Sequence, residues 1–176
     1  IYSDGLKIYT TIDSKIQEHA EEAVQAHMKN LQEEFFIQQK GNDNAPFLKI
    51  TKDETDKIIK QAMKNSERWR ILKALDKSDE EIIASFSVKT KMKIFSWKGE
   101  IDTIMKPIDS IRYYKHFLQA GLMSMEPQTG HVKAWVGGIN YKYFQYDHVG
   151  QGARQVGSTF KPFVYATAIE QLGMSP

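Results

Sequence analysis

The segment that most restricts the fold lies late in the chain, from Ser158 to Leu172. Its Phe160, Phe163, Val164, Tyr165, Ala166, Ala168, Ile169 and Leu172 make a helix that is apolar on nearly every side. Such a helix is expected to lie buried inside a larger body. Ser158 stands at its first turn, where free backbone N–H groups and the positive dipole end stabilise negative charge. Lys161, three residues on, falls on the same face. Burying a lysine amine disfavours its charged form, and a neutral amine beside a hydroxyl suits a serine nucleophile with a lysine base. Pro162 fixes the first turn and Gly157 permits a tight approach to it. The spacing alone says little. With 11 serines and 20 lysines in 176 residues, about one Ser-x-x-Lys pair is expected by chance. On these features alone, a buried-helix serine with a snorkelling lysine is an equally good reading.

The segments upstream read as a mixed α and β chain. Leu6 to Ile12 alternates and is β-prone, which predicts a short strand. Ser14-Lys15-Ile16-Gln17 has the form of a capping box opening a helix, with Ile16, Ala20, Val24, His27, Leu31 and Phe35 on one face. From Thr51 to Phe86 the pattern is helical and highly charged, with capping boxes at Thr51/Glu54 and Ser78/Glu81. Ile58, Ile59, Ala62, Met63, Trp69, Leu72 and Leu75 supply its apolar face. Val88 to Trp97 and Ile101–Met105 read as strands joined at Lys98-Gly99-Glu100. Asp109 or Ser110 is expected to cap a helix through Tyr114, Phe117 and Leu118, ending at Gly121. Leu122–Glu126 and His131–Val136 flank a turn containing Pro127 and Gly130, which predicts a hairpin. Gly137-Gly138 ends its second strand, because no Gly-Lys-Ser/Thr follows to make a phosphate cradle.

Composition excludes several functions. No cysteine is present, which removes disulfides, thiolate metal sites and cysteine nucleophiles. Lys/Arg and Asp/Glu total 24 and 22, so no electrostatic case arises for a nucleic-acid partner. His19, His27, His116, His131 and His148 lack metal-ligand spacing, and His27 reads as a packed histidine. No metal and no cofactor is expected. No apolar run approaches the roughly twenty residues of a membrane helix. Tyr141, Tyr143, Phe144 and Tyr146 either line a groove or pack a loop against the core.

Three blocks carry a resemblance. Arg154-Gln155-Val156-Gly157-Ser158-Thr159-Phe160-Lys161-Pro162-Phe163-Val164-Tyr165 resembles the active-site segment of class A penicillin-binding proteins, which are bifunctional peptidoglycan synthases. Leu122 to Gly138 resembles the hairpin that precedes the family's serine. Asp4 to Asp13, with the helix to Val24, resembles the start of the linker between glycosyltransferase and transpeptidase. The region from Asn30 to about Pro107 shows little likeness and reads as a lineage-specific linker or insertion.

The resemblance implies an α+β fold: linker helices with a small β element, then the hairpin and nucleophile helix of a transpeptidase domain. It divides the chain into a linker region with a helical insertion, 1–120, and the N-terminal part of the transpeptidase, 121–176. Ser158 would attack the penultimate D-Ala carbonyl of a stem peptide, with Lys161 as general base, a role that is disputed in this superfamily. Gly157, Thr159 and Gln155 would contact substrate, and the Ser158 N–H would donate to the oxyanion. The implied partners are peptidoglycan stem peptides, β-lactams, the remainder of the transpeptidase, the upstream glycosyltransferase and other cell-wall synthesis proteins. The implied location is the extracytoplasmic (periplasmic) face of the cytoplasmic membrane, with the anchor outside this chain. The family's Ser-x-Asn and Lys-Thr-Gly motifs are missing, since Lys89-Thr90-Lys91 lacks the glycine. The chain is therefore expected to be inactive alone. A serine β-lactamase-like hydrolase and a non-catalytic cell-wall interaction module stand as alternatives.

Overall fold

In the computed structural model, which describes residues 5–42, 44–47 and 49–175, the longest element is helix α1, Ser14–Gln38. Its N-cap is Asp13, whose carboxylate accepts from Lys15 N at 2.9 Å and Ile16 N at 3.1 Å. The cap thus sits one residue before the expected Ser14, because a carboxylate satisfies two free N–H groups at once. The expected strand at 6–12 does not form. Those residues take up no regular element and are exposed, and among the described residues their end is bonded to β4. Thr11 Oγ1 donates to Val132 O at 2.7 Å, and Asp13 N donates to Lys133 O at 2.9 Å.

Three short helices follow: α2, Lys52–Lys64; α3, Glu67–Ala74; and α4, Asp79–Ser85. Both expected capping boxes are present, at Thr51/Glu54 and Ser78/Glu81. Strands β1, Thr90–Ile94, and β2, Ile101–Met105, pair antiparallel with Ile94 opposite Ile101. Their turn closes between Ser96 and Gly99, each N–H donating to the other's carbonyl, with Gly99 at φ 110°. Helix α5, Pro107–Lys115, starts at Pro107 and not at Asp109 or Ser110. Proline's fixed φ suits the first helical position, so no side-chain cap is needed.

Strands β3, Leu122–Met125, and β4, Val132–Val136, form the second hairpin, with a register shift between Ser124 and Met125. Its turn is one residue longer than a simple reverse turn. Gly130 N reaches Glu126 O at 2.9 Å, and Gly130 adopts φ 72°. After a 3₁₀ turn at Gly157–Phe160, helix α6 spans Lys161–Leu172 and stops at Gly173, φ 59°. The architecture is α+β, six helices and two small antiparallel sheets among the described residues.

Two cores form, neither of them including a side chain of α6. In the first, Ala20, Val24 and Met28 of α1 pack with Phe95, Phe117, Ala134, Val136 and Ile139. The second joins Ile59, Met63, Trp69, Ile82 and Phe86, with Ile108 and Ile111 of α5 packed against it. The buried stripe of α1 is Ala20, Val24, Met28 and Gln32, a run of i+4 steps. His27, expected to be packed, is exposed, and so are Ile16 and Leu31. The core side of α1 is chosen by β4 and the α5 terminus, which accept a satisfied polar residue in place of Leu31.

Gln32 is wholly buried. Its Nε2 donates to His116 O at 2.9 Å and its Oε1 accepts from Leu118 N at 2.8 Å, so it closes the C-terminal end of α5. Gln32→Met keeps the volume but orphans both backbone groups. The expected loss is about 1–3 kcal/mol for each, read as a lowered midpoint in urea unfolding.

Candidate active-site segment

The route to Ser158 begins on β4. Gln17, on the first turn of α1, takes both backbone groups of Trp135. Trp135 N donates to Gln17 Oε1 at 2.8 Å, and Gln17 Nε2 donates to Trp135 O at 3.1 Å. The side-chain amide does for the free edge of β4 what another strand would do. Gln17 is therefore drawn away from the capping role its spacing suggested.

Beyond Val136 the chain turns through Gly137 and Gly138 into a loop held by Asp147. Its Oδ1 accepts from Val149 N at 2.9 Å and Gly150 N at 3.1 Å, and its Oδ2 from the Trp135 indole Nε1 at 3.1 Å. His148 N donates to Gly137 O at 2.7 Å. Packing here is tight enough to demand glycine. A Cβ on Gly137 would stand 2.9 Å from Asp147 Oδ1, and one on Gly152 would stand 2.5 Å from His148 O. The Gly150 N–H is the largest influence lowering the Asp147 carboxyl from its ordinary value. The Val149 N–H and the Trp135 indole help, and partial burial opposes them.

A cleft of about 460 Å³ opens between α1 and this loop, lined by Glu21, Gln25, Trp135, Tyr141, Tyr146 and Asp147 among others. The four aromatic residues of the loop divide between the two expected roles. Tyr143 and Phe144 pack into the first core. Tyr141 and Tyr146 stay exposed on the cleft, and Tyr146 Oη donates to Gln151 O at 2.7 Å.

Lys142 ties the same loop to the first hairpin by an ion pair with Glu100. Lys142 is the largest influence lowering the Glu100 carboxyl, followed by the Tyr143 hydroxyl. A carboxyl lowered in the folded state contributes stability above its unfolded value and loses it as pH falls through the folded one. The tie is thus expected to persist at neutral pH and to release only below the ordinary glutamate range. An NMR titration of the Glu100 carboxylate carbon checks this, with a midpoint expected below that of a free glutamate.

Gln155 lies in an exposed stretch ahead of the 3₁₀ turn. Gly157 opens the turn at φ 52°, in the left-handed region. Ser158 and Thr159 occupy the turn, and Thr159 Oγ1 donates to Val156 O. Lys161 N donates to Ser158 O, so Lys161 ends the turn as α6 begins. At three residues per turn, positions i and i+3 eclipse. Ser158 and Lys161 therefore project from the same edge of the chain. All five predicted residues, Gln155, Gly157, Ser158, Thr159 and Lys161, are exposed, and none of them lines the cleft.

The expected burial of the nucleophile helix is not met. Phe163 is 66% exposed, Tyr165 62% and Leu172 74%, and no residue of the 3₁₀ turn or α6 is buried. Neither core includes any side chain from α6, so its apolar surface and the Lys161 amine face solvent in this chain. Among the described residues no cluster of His, Asp or Glu can hold a metal ion, and no helix is long and apolar enough to cross a membrane.

The chain is similar to known proteins in two ways. Residues 42–118 match the family model of the penicillin-binding protein middle domain. Similarity to penicillin-binding protein 1A extends over nearly the whole chain. It is 29% identical to the Rickettsia prowazekii protein over 196 residues, 99% of this chain and 24% of that protein. Against the Rickettsia felis protein it is 30% identical over 200 residues, with the same coverage. Against the Escherichia coli K12 protein it is 24% identical over 209 residues, covering 97% of this chain and 23% of that protein. The chain thus spans about a quarter of the length of the curated relatives it matches. No solved structure matches it. These matches support reading the chain as a fragment similar to the class A penicillin-binding proteins. The region read as lineage-specific is corrected by the first of these matches: the α2–α5 segment falls within a domain the family shares.

Proposed function

We propose that this chain is part of a bifunctional peptidoglycan synthase, and that Ser158 is the nucleophile of its D,D-transpeptidase. The observation that carries the reading is the pairing of Ser158 and Lys161 across one 3₁₀ turn, in a chain similar to penicillin-binding protein 1A on both sides of it. Ser158 Oγ attacks the penultimate D-Ala carbonyl of a stem peptide and gives its proton to the Lys161 amine. Terminal D-Ala leaves with a proton, and an amine from a neighbouring stem then displaces the serine to form the crosslink. Gly157, Thr159 and Gln155 border the nucleophile and contact the peptide.

The exposed α6 supports a second part of the proposal. This stretch is inactive alone and is completed when other protein surface covers the helix, drying Lys161 and adding the second oxyanion donor. A glycosyltransferase unit and other cell-wall synthesis proteins are its proposed partners, β-lactams its proposed inhibitors, and the extracytoplasmic face of the cytoplasmic membrane its proposed location. The test is labelling of the full-length protein with a fluorescent penicillin, followed by mass spectrometry of the peptides. A lasting adduct on Ser158 is expected. An adduct that hydrolyses within seconds assigns a β-lactamase-like hydrolase instead, and no adduct overturns the acylation reading altogether.

A further inference from the structure

The segment carrying Ser158 is fastened to the described body at one place. From Gln151 to Ser175 no residue is buried, so the packing of α6 does not locate the serine. The loop just before it is held densely. Asp147 collects the Val149 and Gly150 N–H groups and the Trp135 indole. His148 N is bound to Gly137 O, and Gln151 N to Asp147 O at 2.9 Å. Gly121, Gly137, Gly150 and Gly152 leave no room for a Cβ against Val149, Asp147 or His148. Five residues lie between Gly152 and Ser158, and those six steps make a leash of about 20 Å at full extension.

The other end of this fastening reaches α1. Trp135, which donates its indole to Asp147, has its own N–H and C=O bound by Gln17. A continuous set of hydrogen bonds therefore runs from α1 through β4 to the loop that delivers the serine.

We propose that Asp147 is a positioning residue for Ser158: through Trp135 it sets, against the α1–β4 frame, the point from which the nucleophile segment departs. The inference rests on the reading of Ser158 given above. Asp147 touches neither the serine nor the peptide. It acts on the origin of the leash, and a displacement near 1 Å at a reacting atom slows chemistry by up to about a hundredfold. Asp147 belongs to neither core, so its removal is expected to release the loop without unfolding the body.

The test compares acylation of the full-length protein by a fluorescent penicillin in wild type, Asp147→Ala, Asp147→Asn and Trp135→Phe, resolving the acylation rate constant from the affinity of the preceding complex. Asp147→Ala is expected to lower the rate constant about tenfold or more, with a smaller change in that affinity. Asp147→Asn keeps an amide oxygen for Val149 and Gly150 and is expected to recover part of the loss. Trp135→Phe keeps the ring and removes only the indole donor. Its loss is expected to vanish in the Asp147→Ala background, since both changes break one bond. Variants acylated at the wild-type rate overturn the inference while Ser158 keeps its role. So does a loss that Asn does not relieve and that follows the melting temperature alone. Failure of wild type itself to form an adduct overturns both.

Discussion

Ser158→Ala is expected to abolish the penicillin adduct completely, with the melting temperature unchanged. The serine is exposed and lies in a 3₁₀ turn, where loss of one hydroxyl is expected to change stability by less than about 0.5 kcal/mol. The chemistry has no such tolerance, because the covalent intermediate is an ester of that oxygen. Lys161→Ala is expected to slow labelling about 10²–10⁴-fold, the usual contribution of a general base, and not to move the adduct. The two variants together distinguish the roles: one removes the atom that becomes acylated, the other the group that takes its proton. Label persisting on Ser158→Ala, on any other residue, overturns the assignment.

What could be read along the chain was the local part. A capping box needs only four consecutive residues, so Thr51/Glu54 and Ser78/Glu81 form as their spacing implies. The β3–β4 hairpin is equally self-contained, since Pro127 and Gly130 bring both strands together. Where two local solutions compete, tertiary contacts choose. Ser14 and Gln17 have the form of a capping box, yet Asp13 caps the helix and Gln17 is taken by the edge of β4. Sequence spacing has no knowledge of that edge, 118 residues away.

The same limit explains the core stripe of α1. Leu31 is apolar and Gln32 is not, so periodicity favours Leu31. Gln32 is nevertheless buried because the end of α5 offers it one acceptor and one donor at bonding distance. The β-prone run at 6–12 stays unpaired because its end meets β4 at Val132 and Lys133, where that strand begins, so the residues before it have no strand beside them.

At the candidate site the order of residues was legible and their environment was not. Gly157, Ser158 and Lys161 stand in one turn, as their spacing requires. Asp147 was overlooked, although Asp147-His148-Val149-Gly150 has the form in which an aspartate accepts from backbone N–H groups two and three residues on. That signal was present in the chain. The indole on its other oxygen was not, because it depends on how β4 faces the loop. The expected burial of α6 followed from its composition. The surface that would cover the helix is not supplied by either core of this chain.

Phe95→Ala is expected to be the most destabilising single change, at about 3–5 kcal/mol. The ring is 6% exposed and stands just past the end of β1, packed against Phe117 and the 137–152 loop. Its centroid lies 5.2 Å from Phe117, 5.4 Å from Trp97 and 5.5 Å from Phe144, all edge-to-face, and 5.8 Å from Tyr143, tilted. Those geometries add to the transfer term, since the positive edge of one ring meets the negative face of another. The backbone at the same residue is bound as well. Tyr113 Oη donates to Phe95 O at 2.7 Å, and Phe95 N donates to Tyr114 Oη at 3.1 Å. Burial raises the hydroxyl pKa of both tyrosines from their ordinary value, so the two stay neutral and bonded at neutral pH. Truncating the ring opens a cavity lined by the rigid rings of Trp97, Phe117 and the 137–152 loop, which cannot collapse to fill it. At roughly 2–4 °C per kcal/mol for a protein of this size, the fall in melting temperature is readily measured. Phe95→Leu, which keeps most of the volume, is expected to cost under about 1.5 kcal/mol, and Ile104→Ala, on an exposed strand face, under about 0.5. If Phe95→Ala costs no more than Ile104→Ala, the first hairpin is not joined to α5 and the loop through this ring.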